Sequence, residues 1–300
     1  MKQYFHFCSR GFTREVLFAN DAEFVAAMNR IGVCLTIARS RGLIVTIVAF
    51  CLMDNHFHFI VFGEEKACAF FAETFKKLTS MWVARYRGSA LSEHIELGHW
   101  PVAFNKLAEK IIYVLRNPVA AGIKVTPWGY RWSSGMLMFN EAPLVPAVSL
   151  KMSEISGRDR LKYFYTAVEM PDEWLIYKAP ANREIQDPMY MIWPGCYTDY
   201  KTAEKQFPSI GRFLFDLNNS NIDKEVEEEM TAGSFSVPDG DVRLRAVELC
   251  LELYRKDRIA TCSAQERLAV ARLLKREIGC NAKQLARVLR LNLEDLSKLV

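Results

Sequence analysis

Two short constellations in this 300-residue sequence could carry chemistry. The first is His56-Phe57-His58, which holds two of the five histidines. On a strand, side chains at i and i+2 share a face. His56, His58, Ile60 and Phe62 then line one side, and Phe57, Phe59 and Val61 form a wholly apolar other side. Adjacent neutral imidazoles suit a first-row divalent ion. Two half-exposed histidines at a strand end, bonded to backbone or water, satisfy the same spacing. The second constellation lies on a helix predicted from Lys106 to Asn117. Leu107, Ala108, Ile111, Val114 and Leu115 make its apolar stripe, and Lys106, Glu109, Lys110, Tyr113, Arg116 and Asn117 its polar face. Asn117 follows Tyr113 by one turn, so both side chains can point at one spot. A tyrosine among cations could attack a phosphodiester as a phenolate, dividing one hard step into two through a covalent intermediate. A metal would polarise the phosphate. An ordinary amphipathic tyrosine at a helix edge is the competing reading.

The elements that must position these residues are legible in outline. Gln3 to Ser9 alternates and is rich in strand formers, with Tyr4, His6 and Cys8 opposed to Phe5 and Phe7, and Arg10-Gly11 ends it. A helix follows over Ala22 to Arg41, then a strand over Leu43 to Met53, an Asp54-Asn55 turn and a strand over His56 to Phe62. Glu64 to Arg87 has helical period, Trp100 to Phe104 reads as a strand, and Asn105 can cap the next helix, which Pro118 terminates. The order β-α-β-β-α-β-α predicts an α+β fold: a ferredoxin-like antiparallel sheet with helices on one face. The aromatic, turn-rich segment Thr126 to Ser134 closes this unit, residues 1–140. Residues 141–240 read as a mainly helical middle segment, with helical patterns over Arg158 to Val168 and Thr202 to Leu217. Its acidic run at 225–230 suits a solvated helix face or linker. Ser236 to Asp241 is the best boundary, and 241–300 is a patterned helical module.

Half the residues are hydrophobic and a quarter charged, enough for a sizeable core and incompatible with a disordered chain. No run approaches the ~18 apolar residues of a membrane span, and the N-terminus has no secretory character. Eight scattered cysteines without a CxxC pair predict a reduced, cytoplasmic protein. The net charge of +4 divides unevenly, with +6 over 1–140, −7 over 141–240 and +5 over 241–300. Basic ends suit an anionic polymer, since each cation on a phosphate releases a counterion.

Taken together, the motifs resemble a known family. Cys51 to Val61, with its Met53-Asp54-Asn55 turn before His56-Phe57-His58, is similar to the HUH strand of single-tyrosine transposases. Tyr113-Val114-Leu115-Arg116-Asn117-Pro118-Val119-Ala120-Ala121-Gly122 resembles the family's Tyr-x-x-x-Asn-Pro-Val-x-x-Gly motif, and Tyr130-Arg131-Trp132-Ser133-Ser134 its Trp-Ser-Ser signature. The resemblance covers about residues 1–140 and is nearest the REP-associated tyrosine transposase branch. It implies that Tyr113 is a nucleophile forming a 5′-phosphotyrosine with single-stranded or hairpin DNA. It implies His56, His58 and Asn117 as ligands of Mg2+ or Mn2+, and phosphate contacts from Lys110 and Arg116. Asp54 departs from the family, where proline is usual. The family includes monomers and dimers, so a homodimer is compatible with it; a membrane is not implied.

Ser263-Ala264-Gln265-Glu266 is a capping box, and two short helices, Ala282 to Leu289 and Leu293 to Val300, meet at Arg290-Leu291-Asn292 as in a helix-turn-helix. Lys283 to Leu289 resembles the DNA-binding module of the bacterial replication initiator, implying DNA contacts from Lys283, Arg287 and Lys298. A packing bundle is the alternative. Two rivals to a transposase remain at this point: an inactive DNA-binding regulator that keeps the fold, and a metal hydrolase of small substrates. The second leaves Tyr113 and the basic helix without a role.

Overall fold

A computed structural model describes residues 1–9, 12, 15–121, 126–140, 149–164, 168–179, 189–219, 239–278, 282–292 and 296. The expected Arg10-Gly11 strand end, Gly122, the acidic run at 225–230, most of the last helix and Lys298 lie outside the described residues.

The chain is α+β. Strands β1 (Lys2–Ser9), β2 (Val45–Leu52), β3 (Phe57–Glu64) and β4 (Leu97–Val102) form one antiparallel sheet in the order β2-β3-β1-β4. Helices α1 (Asp21–Ser40) and α2 (Glu65–Arg87) make the two crossovers. This is the ferredoxin-like order, and it puts β1 beside β3 with Cys8 opposite His58 and His6 opposite Ile60. The apolar strand face faces α2: Phe57 and Phe59 pack edge-on against Phe71 and Phe75, all four fully buried. Burying each ring is worth roughly 1.5–3 kcal/mol, which locks the strand's two-residue alternation and sends His58 to the other face.

Helix α3 (Leu107–Ala120) crosses that other face, so α1 and α2 share one side and α3 takes the opposite one. Asn105 does not cap it; a 3-10 turn, Phe104–Lys106, leads in. Nor does Pro118 end it, for the helix runs two residues further. Pro118 has no N–H for the Val114 carbonyl, and the Asn117 side-chain amide donates there instead, at 3.4 Å, and to the Tyr113 carbonyl at 3.0 Å. The Trp-Ser-Ser segment clamps β2. The Leu52 N–H donates to the Trp132 carbonyl, the Tyr130 hydroxyl donates to the Leu52 carbonyl, and Trp132 stacks on Phe24 of α1.

The middle segment contains the short helices α4 (Gly157–Phe164), α5 (Tyr200–Glu204) and α6 (Ile210–Asn219). It also holds a feature absent from the mainly helical reading, a three-stranded antiparallel sheet β5 (Ser149–Lys151), β6 (Leu175–Lys178) and β7 (Tyr190–Ile192). Its strands are only three or four residues long, too short for periodicity to reveal. The segment shares one continuous core with the first unit. Asn29 of α1 bonds both the Tyr190 carbonyl and the Ile192 N–H at 2.8 Å.

Helices α7 (Asp239–Tyr254), α8 (Ala264–Ile278) and α9 (Ala282–Leu289) surround a second, separate core that includes Val242, Ala246, Leu274, Leu285 and Leu289. The Ser263–Glu266 capping box is formed, with Glu266 N–H donating to Ser263 Oγ and Ser263 N–H to the Glu266 carboxylate. Arg290 takes the left-handed conformation that turns the chain after α9. Among the described residues no helix is long and apolar enough to cross a membrane.

Candidate metal and nucleophile site

The turn before β3 holds His56. Phe12 and Phe18 N–H groups donate to the Asn55 and Asp54 carbonyls at 2.9 Å, and Met53 N–H donates to the His56 carbonyl at 2.7 Å. Asp54, where the family pattern has proline, pairs with Arg290 of the C-terminal unit.

His56 is caught between two oxygen atoms. Its Nδ1 lies 2.7 Å from Asn55 Oδ1 and its Nε2 lies 3.2 Å from Asn117 Oδ1. The Asn117 amide is oriented by its own nitrogen, which donates to the Tyr113 and Val114 carbonyls and leaves Oδ1 facing His56. A neutral imidazole has one N–H and can donate to only one of these two oxygens. In the neutral ring the other nitrogen and its oxygen then face each other as two acceptors. A cation resolves that conflict. An imidazole nitrogen and an amide oxygen are a fitting donor set for a first-row divalent ion.

His58 is fully buried, with its ring edge-on to His56 at 4.8 Å between centroids. Its Nδ1 lies 3.1 Å from Nε2 of His6 on β1, and its Nε2 is buried without a well-formed hydrogen bond. Burial, then the positive form of His56 and of His6, holds its pKa well below the ordinary 6.5, against a smaller opposing effect of Asn117. Burial and then Lys110 lower His6 to about 3. Both rings are therefore neutral at ordinary pH, the form that ligates metals.

Tyr113 lies on the same face. Its ring stands edge-on to His6 at 5.4 Å and to His58 at 5.2 Å, and the Lys110 ammonium lies 5.5 Å from its centroid. The expected polar face is corrected here: Tyr113 is 5% exposed, because its ring is turned onto the sheet, against His6 and His58. His56, His58, Tyr113 and Asn117 thus converge. Lys110 and Arg116 are half-buried on the same helix. Lys283 and Arg287 sit on α9 in the other unit.

Sequence spacing missed two features. One is His6, which with Cys8 and His58 places three potential ligand atoms within 4.8 Å. The alternation of β1 put His6 and Cys8 on one face, but only strand order brings them to His58. The other is an aromatic ledge: Trp100 packs against His6 at 5.8 Å, and Phe104, 69% exposed, leans on Tyr4 at 6.3 Å.

No family model and no curated protein matches the chain. Among solved structures it is similar to a REP-associated tyrosine transposase bound to a REP hairpin. That likeness has 15% identity and a TM-score of 0.32, and it covers 45% of this chain and 78% of the other. A likeness of this extent is a distant one and decides neither substrate nor mechanism.

Proposed function

We propose that the chain is a divalent-metal-dependent, single-tyrosine DNA strand transferase, as the motif resemblance implies. His56, His58 and Asn117 hold Mg2+ or Mn2+, and Tyr113 is the nucleophile. The observation that carries this reading is the contact of His56 Nε2 with Asn117 Oδ1, which face each other at 3.2 Å one helical turn from Tyr113. The bound ion would polarise a phosphodiester oxygen. The phenolic oxygen of Tyr113 forms a bond to phosphorus as the P–O3′ bond breaks. The phenol proton passes to solvent and the leaving 3′ oxygen takes up a proton. The 5′-phosphotyrosine conserves the bond, so the reverse attack by a 3′-hydroxyl rejoins the strand.

Lys110 places a positive charge against the tyrosine ring, suited to an anionic backbone. Trp100 and Phe104 flank the site as platforms on which unpaired bases stack. That suits single-stranded or hairpin DNA, with Arg116 on the same helix and Lys283, Arg287 and Lys298 contributing phosphate contacts from the C-terminal module. The test is covalent capture of a labelled hairpin or single-stranded oligonucleotide in Mn2+ or Mg2+. Wild type forms a denaturant-resistant adduct and Tyr113→Phe, which keeps the ring, forms none. Equal cleavage by both would make a metal-activated water the nucleophile. DNA binding with no adduct or cleavage by wild type would make the chain a regulator that keeps the fold.

A further inference from the structure

We propose that His6 is a positioning residue: its Nε2 accepts a hydrogen bond from His58 Nδ1–H and so leaves His58 Nε2 bare for a metal ion. The proposal rests on the reading of His56, His58 and Asn117 as ligands. It grows from a symmetry between the two HUH histidines. Each has its Nδ1 tied to a neighbour, His56 to Asn55 at 2.7 Å and His58 to His6 at 3.1 Å. Each then has its Nε2 left for something else, that of His56 facing Asn117 Oδ1 and that of His58 buried without a well-formed hydrogen bond. A ligating histidine depends on such a bond at its other nitrogen, which fixes the tautomer and the ring orientation.

The contact fixes protons in one of two ways. A single hydrogen lies between His6 Nε2 and His58 Nδ1. If His58 carries it, His58 Nε2 is an unprotonated ligand and His6 keeps its own proton on Nδ1. If His6 carries it, His58 holds its proton on Nε2 and cannot bind a metal there. An ion could instead sit between His6, Cys8 and His58, whose ligand atoms lie within 4.8 Å. With His6 Nε2 and His58 Nδ1 both turned to an ion there, the 3.1 Å contact between those nitrogens would lose its hydrogen, and His6 Nδ1–H would stay a buried donor with no partner. The hydrogen-bonded arrangement strands no more donors and keeps that bond, and so is favoured.

The experiment reads His58 directly. In the metal-free full-length protein, long-range 15N–1H correlation spectra of the imidazoles report which nitrogen carries each proton. The expected result is His58 protonated on Nδ1 in wild type and in His6→Gln, whose side-chain oxygen can replace the lost acceptor, but not in His6→Phe. Titration with Mn2+ alone should show His6→Phe weakened about 10–100-fold, with His6→Gln recovering most of the loss. His58 protonated on Nε2 in wild type overturns the proposal, as does equal Mn2+ affinity in wild type and His6→Phe. A sulfur-to-metal charge-transfer band in the Co2+-loaded protein, lost in Cys8→Ser, also overturns it, because the ion is then on the other nitrogen. Should His6→Phe fail to fold, the wild-type tautomer and the cobalt spectrum still decide. Mn2+ binding that is indifferent to His6→Phe removes only the positioning role. A wild type that binds no Mn2+ overturns the wider metal reading, and the oligonucleotide adduct tests Tyr113 separately.

Discussion

Glu23 is a buried carboxylate, 1% exposed, and its removal should loosen the site from a distance. It receives a two-pronged contact from Arg87, Nε to Oε1 at 2.7 Å and Nη2 to Oε2 at 2.5 Å, and the Ala19 N–H at 2.6 Å. Arg87 also donates to the Val16 and Leu17 carbonyls at 3.1 Å. The pair therefore ties the start of α1, the end of α2 and the loop whose Phe18 N–H holds the Asp54 carbonyl beside His56. Glu23→Ala leaves the guanidinium, 20% exposed, with only Glu15 at 3.6 Å as a counter-charge. Breaking a buried pair in this way costs about 3–5 kcal/mol, or roughly 6–20 °C in Tm at about 2–4 °C per kcal/mol for a unit of this size. Urea and thermal unfolding of Glu23→Ala, Arg87→Ala and the double variant provide the assay. The double variant should be more stable than the sum of the two losses predicts, by about 2–3 kcal/mol. Mn2+ affinity should also fall in Glu23→Ala under conditions where the protein stays folded, because the turn carrying Asn55 and His56 has lost its anchor. Additive losses, or a cost below about 1 kcal/mol as for an exposed pair, would refute the reasoning.

Three further outcomes follow from the site and its surroundings. With metal chelated, stability should level off about one pH unit above 6.5 and fall as pH drops toward 3, because the unfolded chain protonates His6 and His58 there and the folded chain does not. The shift of His6 from 6.5 to about 3 makes it worth about 2 kcal/mol between pH 6.5 and pH 5, and urea midpoints of His6→Phe should show an acid limb flatter by that amount. Phe104→Ala should weaken single-stranded DNA binding by about 1–3 kcal/mol in a fluorescence titration while leaving Mn2+ affinity unchanged; unchanged DNA affinity would remove the ledge from the interface. Lys283→Gln and Arg287→Gln should each lower the salt dependence of DNA binding by about 0.7–0.9 on the log–log slope, and an unaltered slope would make the C-terminal helices a packing module.

The sequence by itself determined what depends on neighbours along the chain. The two-residue period of Phe57-His58-Phe59 placed His58 opposite the phenylalanine face, and the four-residue step from Tyr113 to Asn117 put both on one side of a helix. The β-α-β-β-α-β order carried the α+β class, since split crossovers of that length leave few ways to pair four antiparallel strands. Tertiary structure alone decided what depends on register and on partners distant in sequence. His6 meets His58 only because β1 pairs with β3 with Cys8 opposite His58. One residue of slip would have turned His6 into the phenylalanine core. Tyr113 is buried because its ring turns onto the sheet, against His6 and His58, two residues that only strand pairing brings side by side. The helix outlasts Pro118 because the Asn117 side chain serves the carbonyl that proline cannot, a compensation that neither residue's propensity contains.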